Sequence, residues 1–284
     1  MTAPQALDHY AVLGNPVAHS QSPFIHAEFA RATGQAMDYT RVLCALDGFA
    51  PAVHAFAAAG GRGCNVTVPF KFQTLALARQ LTPRAALAQA GNTLRLDDDG
   101  WLADNTDGVG LVHDLQANAG FALGGRRVLL IGAGGAAAGV LGPLLEAAPA
   151  QLLVVNRTAA KAAELVGRHA ALARARGVEL AAGGLADAGR GYELIVNASA
   201  SSLAGAAVPV AASVLAPGAL AVDLMYGPAA APFLRWAEAH GATARDGLGM
   251  LVEQAAEAFA LWRGLRPATA GVLQRLRERL RTAA

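Results

Sequence analysis

The stretch Val128-Leu129-Leu130-Ile131-Gly132-Ala133-Gly134-Gly135-Ala136-Ala137 constrains this chain more than any other part of it. A short apolar run meets closely spaced glycines, a helix-forming stretch follows from Gly135, and a second apolar run ends at Val155. Strand, tight turn, helix and strand in that order make a βαβ unit of a doubly wound parallel sheet. The first glycine permits the turn, and the second lets backbone come close to a pyrophosphate. The third position needs only a small residue, which Ala137 supplies. The helix N-terminus, with its free N–H groups, suits phosphate. Gly132, Ala133, Gly134, Gly135 and Ala136 are therefore candidate dinucleotide contacts. A glycine turn that binds nothing is the bland alternative.

The end of the second strand qualifies this reading. An Asp or Glu there would bond the 2′-hydroxyl of NAD. This chain instead has Asn156-Arg157-Thr158, with Lys161 three residues on. A 2′-phosphate would give both cations a partner, Arg157 through its planar fork and Lys161 as a point charge. NADP is expected over NAD. Two solvated cations at a helix start are the alternative, although the helix dipole opposes them.

Short apolar runs alternate with helical stretches along most of the chain, the pattern of an α/β protein. Strands are expected at Tyr10–Leu13, Tyr39–Val42, Gly63–Val68, Arg127–Ile131, Gln151–Val155, Val178–Leu180, Glu193–Asn197 and Leu220–Asp223. Asn92–Leu96 and Trp101–Ala103 should form a hairpin around Asp98-Asp99-Gly100. Ser22-Pro23 and Thr82-Pro83 each read as an N-cap followed by a first-turn proline. A helix over Gly108–Ala119 and a linker over Gly120–Gly125 precede the glycine-rich unit. Two helices, Met250–Arg263 and Thr269–Arg281, close the chain without further strands and are expected to pack back on the first domain. The expected division is 1–107, completed by 249–284, and 108–248.

Charged residues are only 15% of the chain and apolar residues 54%, so it must fold to stay in solution. A net charge of +2 gives no field for nucleic acid. The uncharged runs Val128–Leu145 and Leu194–Val222 are long enough to span a membrane, but their glycines, prolines, Asn197 and serines break them into strands and turns. The N-terminus lacks a signal-peptide pattern. Cys44 and Cys64 have no metal-ligand spacing, and no His pair suggests a metal, so a reducing, cytoplasmic setting without a metal is expected. A small molecule is the expected partner, and the reading is compatible with a monomer or a homodimer.

Three polar motifs lie in the first part. Ser20-Gln21-Ser22-Pro23 puts two hydroxyls before a helix start, where a carboxylate could be held. Asn65-Val66-Thr67-Val68-Pro69-Phe70-Lys71 leaves a strand and is expected to open a helix. Lys71 would then sit in a first turn, where the dipole disfavours its charge. Asp104-Asn105-Thr106-Asp107 ends the hairpin with a carboxylate, Asp107, able to partner Lys71 as an acid–base pair at a carbonyl. A simple N-cap, a surface lysine and a helix-capping aspartate are the competing readings.

The motifs GNPVAHSQSPFIH, GCNVTVPFK, AGNTL, DNTDGVG, IGAGGAA, NRT and DGLGMLVEQA resemble, in order and spacing, those of the shikimate dehydrogenase family. The resemblance runs through nearly the whole chain. It implies NADPH-dependent, reversible reduction of 3-dehydroshikimate to shikimate, on the route to chorismate and the aromatic amino acids. It implies that Ser20 and Ser22 hold the substrate carboxylate, and that Thr67, Asn92 and Gln254 bind ring hydroxyls. Tyr226 would lie near the substrate, and Gly247 and Met250 would line the nicotinamide. Lys71 and Asp107 would be the catalytic pair, with Asn65 in support. An N-terminal α/β substrate domain, a Rossmann domain and returning C-terminal helices are implied too. The stretch 197–202 departs from the family's pattern, as does Ala137-Ala138.

Two other readings remain. A quinate/shikimate dehydrogenase shares the fold and the Lys-Asp pair but often uses NAD, and its acidic discriminator is absent at Arg157, Thr158 and Ala159. A silent relative that binds both ligands as a sensor would not need Lys71 and Asp107.

Overall fold

The computed structural model describes residues 7–199 and 208–282. They form two compact units. One comprises the residues up to Thr106 together with those from Val252 on, and the other is Asp107–Leu251.

The first unit contains β1 (Asp8–Gly14), α1 (Ser22–Thr33), β2 (Met37–Leu43), α2 (Phe49–Ala58), β3 (Gly61–Val66), α3 (Thr74–Leu77), β4 (Ala78–Leu81), α4 (Pro83–Ala88), β5 (Thr93–Asp97) and β6 (Gly100–Asp104). Its sheet runs β2-β1-β3-β5-β6-β4. Neighbours are parallel on the β2-β1-β3 side, and β3, β5 and β6 alternate in direction. Leu13, Val66, Leu94 and Trp101 fill one face, with Phe49 stacked on Phe70. The Asp98-Asp99-Gly100 turn works because Gly100 takes φ 126°, a conformation open to glycine.

The second unit contains α5 (Asp107–His113), which passes into a π turn at Asp114–Asn118, then β7 (Arg127–Ile131), α6 (Gly135–Glu146), β8 (Gln151–Val155), α7 (Ala159–Arg176), β9 (Glu179–Gly183), β10 (Tyr192–Asn197), β11 (Leu215–Asp223), α8 (Ala231–Ala239) and β12 (Thr243–Arg245). All neighbours in its sheet are parallel, in the order β12-β11-β10-β7-β8-β9. The central strands are almost wholly apolar because helices cover both faces. The order reverses between β7 and β10, the crevice in which such folds take ligands. Gly132 follows β7 there.

Helix α9 (Leu248–Arg263) crosses the division after Leu251, and α10 (Ala270–Thr282) lies wholly in the first unit. The returning helices are fastened to that unit. Trp262 donates its indole N–H to the Leu94 carbonyl at 3.0 Å, and Arg275 pairs with Glu28 at 2.6 Å. Among the described residues, no helix is long and apolar enough to cross a membrane.

Several local expectations need correction. Ser22 is the first helical residue of α1, not its cap. Gln21 holds the cap position without a side-chain bond, and the Ser22 N–H is met by Ser20 Oγ at 3.3 Å. Thr82 does cap α4, through the Ala85 N–H. Lys71 does not open a helix. Its carbonyl is taken by the Gly91 N–H at 2.9 Å and by Thr74 Oγ1 at 2.8 Å, so the chain turns in i→i+3 steps until α3 begins. The expected helix over Gly108–Ala119 leaves the α register at Asp114.

Buried His26 stacks on Tyr39 with ring centroids 4.2 Å apart, among Phe29, Phe259 and Trp262. Burial pushes its imidazole down to about 3 from 6.5. The unfolded chain then binds the proton more tightly, so the stabilisation is complete above about 6.5 and fades as pH falls towards 3. Urea denaturation should show about 2 kcal/mol less stability at pH 5 than at pH 7 from this residue. His26→Phe should remove most of that slope. An unchanged slope would assign the acid sensitivity elsewhere, with His169, also pushed down by burial, as the next residue to examine.

Candidate active site

In the first unit a chain of neutral polar groups runs from β2 to α9. Tyr39 Oη donates to Asn65 Oδ1 at 2.7 Å, and Asn65 Nδ2 donates to Thr93 Oγ1 at 3.0 Å. Thr93 Oγ1 meets Asn92 Oδ1 at 2.9 Å, and Asn92 Nδ2 reaches Thr106 Oγ1 at 2.9 Å and Gln254 Oε1 at 3.2 Å. All six residues are at least nine-tenths buried. Burial pushes the Tyr39 phenol well up and keeps it protonated, against an opposing hydrogen bond from Ser22. Asn92 and Gln254, far apart in sequence, are thus brought together.

The Lys71 backbone is held beside this chain by the Gly91 N–H, one residue from Asn92. Thr67 closes the start of the same turn. Its N–H donates to the Leu13 carbonyl, and a Cβ on Gly14 would fall 2.4 Å from its methyl group. Ser20 and Ser22 share a hydroxyl hydrogen bond of 3.2 Å. Arg41 holds their loop by donating two N–H groups to the Ser20 carbonyl, at 3.0 and 2.6 Å.

Ion pairs carry the hairpin end. Arg84 grips buried Asp104 with both nitrogens of its fork, at 2.6 and 2.5 Å. Burial pushes this carboxyl up, but Arg84, the Thr82 hydroxyl and the Asn105 N–H outweigh it and hold the group below its ordinary range. Arg266 spans Glu253 and Glu257 on α9, which fixes the turn carrying Gln254.

Asp107 and Tyr226 belong to the second unit, as do the dinucleotide candidates. Gly132 has φ 115°, and a Cβ there would lie 3.0 Å from the Ala198 carbonyl group. Gly134 caps α6, and a Cβ on it would meet nothing within 4 Å, so this backbone position faces open space. Ala137 is fully buried, as the third position requires. Ala133, Gly135 and Ala136 complete the turn. Asn156 bonds the Thr158 carbonyl, while Arg157, Thr158 and Lys161 are exposed at the start of α7. Neither cation has an ion pair among the described residues.

At the ends of β10 and β11, Asn197 Nδ2 donates to Asp223 Oδ2 at 2.9 Å, and Asp223 Oδ1 takes the Met225 N–H at 2.8 Å. The Met225 carbonyl accepts from Gly247 at 2.9 Å, and a Cβ on Gly247 would lie 2.3 Å from the Leu224 carbonyl. Met250 follows in the first turn of α9 and is buried. Of the family departures noted above, positions 200–202 lie outside the described residues.

Sequence reasoning missed Tyr39, Thr93, Thr106 and Asp223. Thr106 stood between two residues already singled out, and polar side chains at strand ends were the available signal.

Gly132→Ala should lower stability by about 1–2 kcal/mol, the cost of forcing a Cβ into this backbone conformation. Urea denaturation measures it. A loss near zero would mean that the turn relaxes freely.

The family model described as "Shikimate dehydrogenase substrate binding domain" matches residues 12–94. "Shikimate / quinate 5-dehydrogenase" matches residues 115–202, and "Shikimate 5'-dehydrogenase C-terminal domain" matches residues 247–277. A protein of Methylibium petroleiphilum named shikimate dehydrogenase (NADP(+)) is 65% identical over 278 residues, covering 96% of this chain and 95% of that one. One of the same name from an Acidovorax species is 61% identical over 277 residues, covering 98% of both. The crystal structure of the Thermus thermophilus shikimate 5-dehydrogenase with NADP(H) and shikimate superposes with a TM-score of 0.83 at 34% identity, covering 96% of this chain and 99% of that one. Fold and site together define an oxidoreductase with a Rossmann-type dinucleotide-binding unit and a separate α/β unit. The chain belongs to the shikimate dehydrogenase family.

Proposed function

We propose that this chain catalyses the NADPH-dependent, reversible reduction of 3-dehydroshikimate to shikimate, within chorismate and aromatic amino acid biosynthesis. The observation that carries the reading is the buried amide and hydroxyl chain from Tyr39 to Gln254, with Lys71 fastened beside it. A small acidic polyol needs many neutral donors and acceptors, one anion-binding corner and one proton donor.

In this reading the segments 1–107 and 249–284 bind substrate, and 108–248 binds NADP. Ser20 and Ser22 donate to the carboxylate. Thr67, Asn92 and Gln254 bond ring hydroxyls, and Tyr226 lies near the substrate. The pyrophosphate is held by Gly132, Ala133, Gly134, Gly135 and Ala136, and the 2′-phosphate by Asn156, Arg157, Thr158 and Lys161. Gly247 and Met250 line the nicotinamide. Bound NADPH supplies the hydride that becomes the new C–H bond. Lys71 Nζ gives a proton to the oxygen as it gains charge, and takes it back in the reverse direction. Asp107 is the second member of the acid–base pair. Buried, unpaired Cys44 and Cys64 suit the cytoplasm.

The test is an initial-rate assay that follows NADPH absorbance, with shikimate and quinate each offered with NADP and with NAD. Turnover confined to shikimate with NADP supports the reading. Preference for quinate or NAD overturns the specificity while keeping the chemistry, and binding without turnover replaces the enzyme with a sensor.

A further inference from the structure

Helix α5 begins at Asp107, and about two turns further along the chain stands a second carboxylate that the proposed chemistry does not use. Asp114 is fully buried. Its oxygens accept from Arg245 Nε at 2.7 Å and Nη2 at 2.6 Å, a two-pronged pair, and Asn118 Nδ2 donates to one of them at 3.0 Å. The helix changes to its π turn at this residue, a register change frequently found at functional sites.

Arg245 ends β12 and leads directly into Asp246-Gly247-Leu248-Gly249-Met250. A Cβ on Gly249 would fall 1.8 Å from Asp114 Oδ1, so the carboxylate lies against bare backbone in the first turn of α9. Negative charge at a helix start is favourable. The opposite side of the segment is pinned by the Gly247 N–H on the Met225 carbonyl. The front of α5 is equally constrained. A Cβ on Gly108 would lie 2.4 Å from the Gly139 carbonyl, which Pro143, lacking an N–H, leaves without its helical donor.

A buried ion pair is poor evidence for stability, since apolar residues of similar size usually serve as well. What a fork on a carboxylate adds is direction and register. We propose that Asp114 and Arg245 are positioning residues for hydride transfer. They hold the 247–250 backbone in fixed register with the helix that starts at Asp107. The inference rests on the proposed function, which sets Gly247 and Met250 against the nicotinamide.

Asp114→Asn keeps the shape and removes the charge, and Arg245→Lys keeps the charge and removes the fork. Four readouts separate positioning from mere support: kcat against KM, the isotope effect with shikimate deuterated at its reacting carbon, NADPH fluorescence on binding, and amide hydrogen exchange of 247–251. Both variants should lose about tenfold or more in kcat, with KM for shikimate little changed, because a small misplacement of reacting atoms is costly. The isotope effect should rise, and exchange in 247–251 should quicken. Unchanged kcat and isotope effect per folded molecule would overturn the proposal. Should Asp114→Asn fail to fold, Arg245→Lys decides by the same criteria. If the parent enzyme does not turn over shikimate, the proposed function fails first. Exchange and NADPH binding then decide this inference alone, and unaltered values in both variants would end it.

Discussion

Lys71→Ala is expected to lower kcat by roughly 10² to 10⁴ while shikimate still binds, the range for losing one positioned proton donor. The structure changes the argument behind this figure. Lys71 does not stand in the first turn of a helix but precedes α3, which begins at Thr74. Its backbone is fixed instead by two bonds to one carbonyl, from Gly91 and Thr74, and the first of these ties it to the strand that presents Asn92. Removing the side chain leaves those bonds and the polar chain intact. The loss should therefore appear in kcat and spare KM. A steady-state comparison with the parent, at matched folded concentration, measures it. A kcat within a factor of about two would remove Lys71 from the chemistry and leave Asp107 or a water as the donor.

Replacing Arg157 and Lys161 together with alanine should weaken NADP by roughly 10²- to 10⁴-fold and leave NAD almost unchanged. Each charged hydrogen bond to phosphate is worth about 1.5–3 kcal/mol. The first turn of α7 contains no acidic residue, so both cations face the positive end of the helix without compensation. An anion bound there resolves this cost. Fluorescence titration with the two nucleotides gives the ratio directly, and equal weakening of both would show that these side chains do not read the 2′-phosphate.

The βαβ unit was legible because β7 and β8 are buried on both faces and read as unbroken apolar runs ending at Ile131 and Val155. The hairpin was legible from its turn chemistry at Gly100. Two of the four edge strands were not. β4 is Ala-Arg-Gln-Leu and β12 is Thr-Ala-Arg, short and polar, with no periodicity to read. Lys71 was misplaced because Phe70-Lys71-Phe72-Gln73 has the composition of a helix, while the bonds that stop the helix come from Thr74 and Gly91. Pairings across the chain were equally hidden. Nothing local in Asp114 announces Arg245, or in Asn92 announces Gln254. Those contacts exist only once the sheets are formed, and the recognition of Gln254 came from family resemblance.

The chain Tyr39, Asn65, Thr93, Asn92, Thr106 and Gln254 has a further consequence. Every member is uncharged, and the Tyr39 phenol is held protonated far above neutrality. Under the proposed function, the surface offered to the ring hydroxyls therefore presents the same donors and acceptors in weak acid and in weak base. Affinity for the sugar-like face of the substrate should be flat across that interval, with any bend in a rate profile owed to the proton-carrying pair. The enzyme in effect keeps its vocabulary of recognition apart from its acid–base chemistry, and each can be varied without rewriting the other.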